Sequence, residues 1–97
     1  MSKPAFLIVD AKSSDPQAIQ RYRELAQVAV AQFGGRYVVR GGEYQVLEGD
    51  WRPERLVVVE FPSLEQARRF YDSPEYLAAR AARAGVSSFD MLLVEAC

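Results

Sequence analysis

The sequence predicts an α+β fold: one antiparallel sheet of four long strands with two helices on one face, in the order βαββαβ. Three observations lead there. Short apolar runs rich in Val, Leu and Ile alternate with stretches of three-four apolar spacing. Gly, Pro and capping residues punctuate each junction, at Asp15-Pro16, Gly34-Gly35, Gly41-Gly42, Pro62-Ser63 and Gly85. The strand–helix–strand unit then occurs twice, each time as a right-handed crossover, which is the ferredoxin-like arrangement.

Ala5 to Ala11 is an apolar run without strict alternation, ended by Lys12-Ser13-Ser14, and reads as a strand buried on both faces. Asp15 is placed to cap a helix whose first position is Pro16. Ile19, Tyr22, Ala26, Ala29 and Phe33 form its buried stripe, and Gly34-Gly35 stops it. Arg36 to Arg40 is the second strand. Glu43 to Leu47 is read as a short returning strand, and Trp51 to Glu54 as irregular chain. Arg55 to Phe61 is the strongest strand signal. Ser63 with Gln66 forms a capping box for the next helix. Ser73-Pro74 repeats the start signal, so that helix kinks or restarts and runs to about Arg83. Phe89 to Glu95 is the last strand. The expected sheet order is last strand, first strand, Arg55–Phe61, Arg36–Arg40.

A chain of 97 residues is one domain, 1–97, with about 5,600 Å² of accessible surface expected for a compact monomer. Twelve basic against thirteen acidic side chains give a net charge of −1, which argues against a nucleic-acid partner. With no histidine, a Ser-His pair, a His-ligated zinc or haem and a His proton shuttle are excluded. Thirteen acids leave a carboxylate-only Mg²⁺ or Ca²⁺ site open, but no acidic spacing resembles a calcium loop, and no metal ligand and no cofactor are assigned. The lone Cys97 forms no internal disulfide, and Ala5–Val9 is too short for a signal-peptide core or a membrane span. The expectation is a cytoplasmic protein without a membrane partner.

Two helices cover one side of a sheet whose first and third long strands are apolar on both sides. An uncovered second face costs roughly 1.5–3 kcal/mol per aliphatic side chain. That predicts a homodimer with sheets packed face to face. Strand parity assigns Phe6, Ile8, Asp10, Arg36, Val38, Arg40, Leu56, Val58, Glu60, Met91, Leu93 and Glu95 to the face turned from the helices. Leu92 and Val94 go to the helix-covered face with Leu7, Val9, Tyr37, Val39, Val57 and Val59. A mostly apolar floor with a few ionisable groups suits a small-molecule pocket, either under the helices or between paired sheets.

The candidate catalytic residues are Glu60 and Asp10. Glu60 and Glu95 end strands at the same side, where two neighbouring carboxylates would raise each other's pKa for proton transfer; the alternative is that both reach water or pair across the dimer. Arg40, before Gly41-Gly42, is the candidate clamp for an anionic substrate. Tyr22, Tyr71 and Trp51 are the remaining candidate substrate-binding residues. The tyrosines read equally as core with a hydroxyl at the rim, and Trp51 as a dimer anchor in preference to a lid. Arg68, Arg69, Arg80 and Arg83 are expected on a solvated helix face.

Four segments in order carry a resemblance: Phe33–Gly42 (FGGRYVVRGG), Val46–Trp51 (VLEGDW), Arg55–Ser63 (RLVVVEFPS) and Phe70–Tyr76 (FYDSPEY). Together they resemble a bacterial domain-of-unknown-function family, number thirteen-thirty, of the dimeric α/β-barrel superfamily. The resemblance spans Ala5 to Glu95 and implies a ferredoxin-like protomer pairing into a barrel-like dimer. Arg40, Glu48, Trp51, Glu60, Tyr71, Asp72, Ser73 and Tyr76 look family-like, but the family carries over no catalytic residue. Superfamily relatives include cofactor-free oxygenases, lactone isomerases and haem enzymes, and the lack of histidine disfavours the haem branch. The reading is therefore proton-transfer chemistry, isomerase-like or cofactor-free oxygenase-like, on a small organic molecule, an anion where Arg40 serves as its clamp. A non-catalytic binding module and a dimer-assembly module stand as alternatives.

Overall fold

The computed structural model describes residues 3–97. Its elements are β1 (Ala5–Ser13), α1 (Pro16–Gln32), β2 (Arg36–Arg40), β3 (Leu56–Phe61), α2 (Leu64–Asp72), α3 (Pro74–Ala82) and β4 (Ser87–Glu95). The sheet order is β2-β3-β1-β4, every pair antiparallel, as expected from the sequence. All three helices lie against one face, and the shortest dimension is 17 Å, the thickness of a single sheet-plus-helix layer pair.

The caps follow from the sequence. Asp15 accepts from the amides of Gln17 and Ala18. Gly34 adopts φ +76° after α1, a conformation open to a residue without Cβ. Ser63 accepts from the Gln66 amide, but the Gln66 side chain donates to the Phe33 carbonyl instead of closing the capping box. It ties the end of α1 to the start of α2.

Ser73 does two jobs. Its hydroxyl donates to the Phe70 carbonyl at 2.7 Å and accepts from the Tyr76 amide at 3.1 Å, closing α2 and opening α3. The helix therefore restarts at Pro74. Ser73→Ala leaves two buried backbone groups without this partner. It is expected to cost about 1–2 kcal/mol, read as a lower thermal midpoint.

Three sequence expectations are corrected. Residues 43–47 pair with nothing; 42–53 form an irregular loop, because the turn at Gly41 leads the chain past β3. In β2, Tyr37 opposes Val59 and Val39 opposes Val58, so Val38 is a one-residue bulge. The bulge turns Arg40, opposite Val57, to the helix-covered face and Val39 to the other. In β4, Leu93 opposes Leu7 and Leu92 opposes Ile8. Phe89, Met91 and Leu93 therefore pack under the helices, while Leu92 and Val94 stand 56% and 44% exposed.

The core lies between sheet and helices. Its largest fully buried side chains are Tyr76, Phe61 and Phe70. Phe70 stacks 4.4 Å from Tyr76 and 5.0 Å from Phe61, with Leu7, Val9 and Val59 beneath. Gly35 fits against this core because a Cβ there would lie 2.7 Å from the Phe61 ring. Phe6, Ile8, Leu56, Val58, Val39, Leu92 and Val94 share the opposite face, which no helix or strand among the described residues covers.

Candidate functional site

A cavity of about 650 Å³ lies between α1 and the sheet. Its floor is Leu7, Val9, Val57 and Val59, the helix-side residues of the two central strands. Ala26 and Val30 of α1 form the opposite wall, and Tyr22 with Phe89, 5.0 Å apart, closes the β4 side. The rim is polar. It carries Arg23 from α1, Arg40 and Gly41 from the end of β2, and Glu54 and Arg55 from the chain entering β3.

Arg40 is held from two sides. Its guanidinium donates to Gln27 Oε1 at 2.8 Å and lies 4.1 Å over the Tyr37 ring. Burial raises the Tyr37 pKa, and the Arg40 charge acts against that rise. Gly41 has φ +71°, and a Cβ at that position would occupy the place of the Arg55 guanidinium.

Tyr22 shares a 2.7 Å hydrogen bond with the Tyr76 hydroxyl. Burial above all, then the neighbouring Tyr76, pushes the Tyr22 hydroxyl far above the ordinary tyrosine range, so it faces the cavity as a neutral hydrogen-bonding group. Burial also raises the Tyr76 pKa, against the opposing effects of the Tyr22 hydrogen bond and then of Arg83. Arg83 is no solvated surface charge. It lies 3.8 Å over the Phe89 ring and 5.2 Å over Tyr22, and its Nε is buried without a hydrogen-bond partner.

The predicted site residues do not form one cluster. Arg40 and Tyr22 line the cavity. Asp10 is 3% exposed, sits on the sheet's other face, and spends both carboxylate oxygens on the loop. Oδ2 accepts from the Trp51 indole at 3.1 Å and Oδ1 from the Glu54 amide at 3.0 Å. Trp51 therefore anchors the loop to β1. Glu60 also lies on the other face, toward the far end of the sheet, in a 2.7 Å ion pair with Arg36 across the β2–β3 ladder. Glu95 opposes Ala5 and Glu60 opposes Phe6, so the two carboxylates point to opposite faces and are not neighbours. Tyr71 packs 5.7 Å from Tyr76, between the guanidiniums of Arg68 and Arg80, outside the cavity.

Sequence reasoning missed Arg23, Tyr37, Glu54 and Arg55. Arg55 directly precedes a strand and Arg23 follows Tyr22 by one residue, signals too common to single either out. Among the described residues, no three His, Cys, Asp or Glu side chains stand together as metal ligands. Among them, too, no helix is long and apolar enough to cross a membrane.

Solved structures share this fold at low identity. A protein of unknown function from Rhodopseudomonas palustris superposes with a TM-score of 0.76 at 16% identity, covering 100% of this chain and 85% of that one. A variant of SnoaB, a cofactor-independent oxygenase from Streptomyces nogalater, gives 0.70 at 14% identity over 98% and 94% of the two chains. A dimeric ferredoxin-like protein of unknown function from Bacteroides fragilis gives 0.63 at 17% identity over 96% of each. No curated protein matches the sequence. A family model described as a domain of unknown function does match, across residues 4–97 and so across both crossover units, and by that match the chain belongs to the DUF1330 family.

Proposed function

We propose that this protein is a homodimer whose protomers each bind a small organic anion in the cavity between α1 and the sheet. The observation that carries the reading is the division of that cavity: an aliphatic and aromatic interior under a rim bearing the oriented Arg40 guanidinium. An apolar body fits the floor of Leu7, Val9, Val57 and Val59, while its anionic group meets Arg40.

The dimer rests on the uncovered apolar face. On that face Leu92 and Val94 stand 56% and 44% exposed beside Ile8 and Val58. The Bacteroides fragilis protein of the same fold is dimeric, which supports the same reading.

The chemistry this lining favours is proton transfer without a cofactor, and a cofactor-independent oxygenase shares the fold. Glu54 is the only carboxylate among the lining residues, and Tyr22 supplies a neutral hydroxyl. We assign the proton-accepting role to Glu54. In this reading Asp10 holds the loop that carries Glu54, and Glu60 pairs with Arg36 away from the cavity.

Titration with 1-naphthoate, followed by amide NMR shifts, tests the binding site. The expected shifts fall on Val9, Ala11, Tyr22 and Val57, with affinity reduced about tenfold in Arg40→Ala. Shifts confined to Ile8, Val58 and Leu92 would place binding on the opposite face and overturn the reading.

A further inference from the structure

The cavity rim holds more positive charge than the fold uses. Arg23, Arg40 and Arg55 reach it from three separate elements of the chain. Arg21, Arg36, Arg68 and Arg69 each have a carboxylate within 4.0 Å, whereas Arg23, Arg40 and Arg55 make no ion pair among the described residues. They are close enough to repel one another. Desolvation first, then the charges of Arg23 and Arg40, lowers the pKa of Arg55.

Such a convergence destabilises the free protein, and among the described residues no carboxylate forms an ion pair with any of the three. Glu54 is the one acid on the rim, so three positive charges face one negative, a formal excess of two. Gly41 leaves room for the Arg55 guanidinium beside it, and a Cβ on Gly42 would meet nothing within 4 Å. The rim is thus open to a compact head group that accepts from several guanidiniums at once.

We propose that the ligand carries two negative charges on one compact head group, as in a phosphate monoester or a vicinal dicarboxylate, joined to an apolar body. The inference rests on the reading of the cavity as an anion-binding site and narrows its ligand class.

Calorimetric titration of the full chain at neutral to mildly alkaline pH tests it with four probes sharing one ring system. They are 1-naphthyl phosphate, naphthalene-1,2-dicarboxylate, 1-naphthoate and 1-naphthalenemethanol. The dianions are expected to bind at least about tenfold more tightly than 1-naphthoate, and the neutral alcohol most weakly. The gap should narrow in Arg23→Gln and Arg55→Gln, and Glu54→Gln should strengthen dianion binding without removing an arginine. A preference for the phosphate alone supports the inference and selects that head group. Equal affinity for the monoanion and the dianions overturns it while leaving the anion site in place. So does a gap that persists in both arginine variants. Absence of binding by every probe overturns the inference together with the reading beneath it.

Discussion

Val58→Asp is expected to leave the chain monomeric. Val58 lies mid-strand in β3 on the uncovered face, with Ile8 of β1 beside it on one side and Val39 of β2 on the other. Sheets packed face to face would bury the new carboxylate in each protomer among aliphatic neighbours. The basic residue identified on that face, Arg36, is engaged by Glu60. An unpaired buried charge costs several kcal/mol, and a two-fold interface contains it twice. The separated protomer meets no such cost, because the same carboxylate then faces water. Sedimentation velocity at micromolar concentration reads the result. Wild-type protein should run as a dimer and Val58→Asp as a folded monomer, while Leu77→Asp, on the exposed surface of α3, should remain dimeric. A Val58→Asp dimer would show that this face is not the interface.

Phe70→Ala should produce the largest loss of stability of any single truncation in this core. The ring is 1% exposed and touches three aromatic neighbours, Phe33, Phe61 and Tyr76. Those neighbours belong to different elements held by their own hydrogen bonds, so they collapse little into the space left behind. Truncations of this kind cost about 3–5 kcal/mol. For a domain of this size that is a drop of roughly 15–30 °C in the thermal midpoint. Denaturant titration at fixed protein concentration should show a lower midpoint with an unchanged slope. A loss under about 1 kcal/mol would mean that the core refills the vacated space more freely than the close-packed rings imply.

The order of elements was legible because each junction carries a stereochemical signal. Asp15-Pro16, Gly34 and Ser73-Pro74 act within a few residues of themselves, and the sequence displays both partners of each interaction. The faces of two strands were not legible. The Val38 bulge is a property of the β2–β3 pairing and leaves no mark on Arg-Tyr-Val-Val-Arg. In β4, Phe89, Met91 and Leu93 compete with Leu92 and Val94 for the covered side, and hydropathy alone does not choose between two apolar sets. The site suffered from both. Arg40 is legible as a candidate anion clamp, but its face depends on the bulge. Asp10 stood out as an acid in an apolar strand, yet its partners, Trp51 and Glu54, lie more than forty residues away. The arginine-rich rim exists only after α1, β2 and the start of β3 meet.

The place of β1 in the sheet governs when this domain is able to fold. The first strand made is flanked by β3 and β4, not by β2, the next strand in sequence. Its ladder to β3 begins with Leu56, and its ladder to β4 is complete only at Glu95. Through most of the domain's synthesis, Leu7, Ile8 and Val9 therefore have no sheet partner, while α1 forms beside them. The central β1–β3 ladder closes over about half of the domain and the β1–β4 ladder over nearly all of it, separations that slow folding and leave one side of β1 unpaired until β4 has left the ribosome. A chain truncated before Ser87 loses one whole side of β1 and leaves an unpaired apolar edge, the species most prone to aggregate during expression.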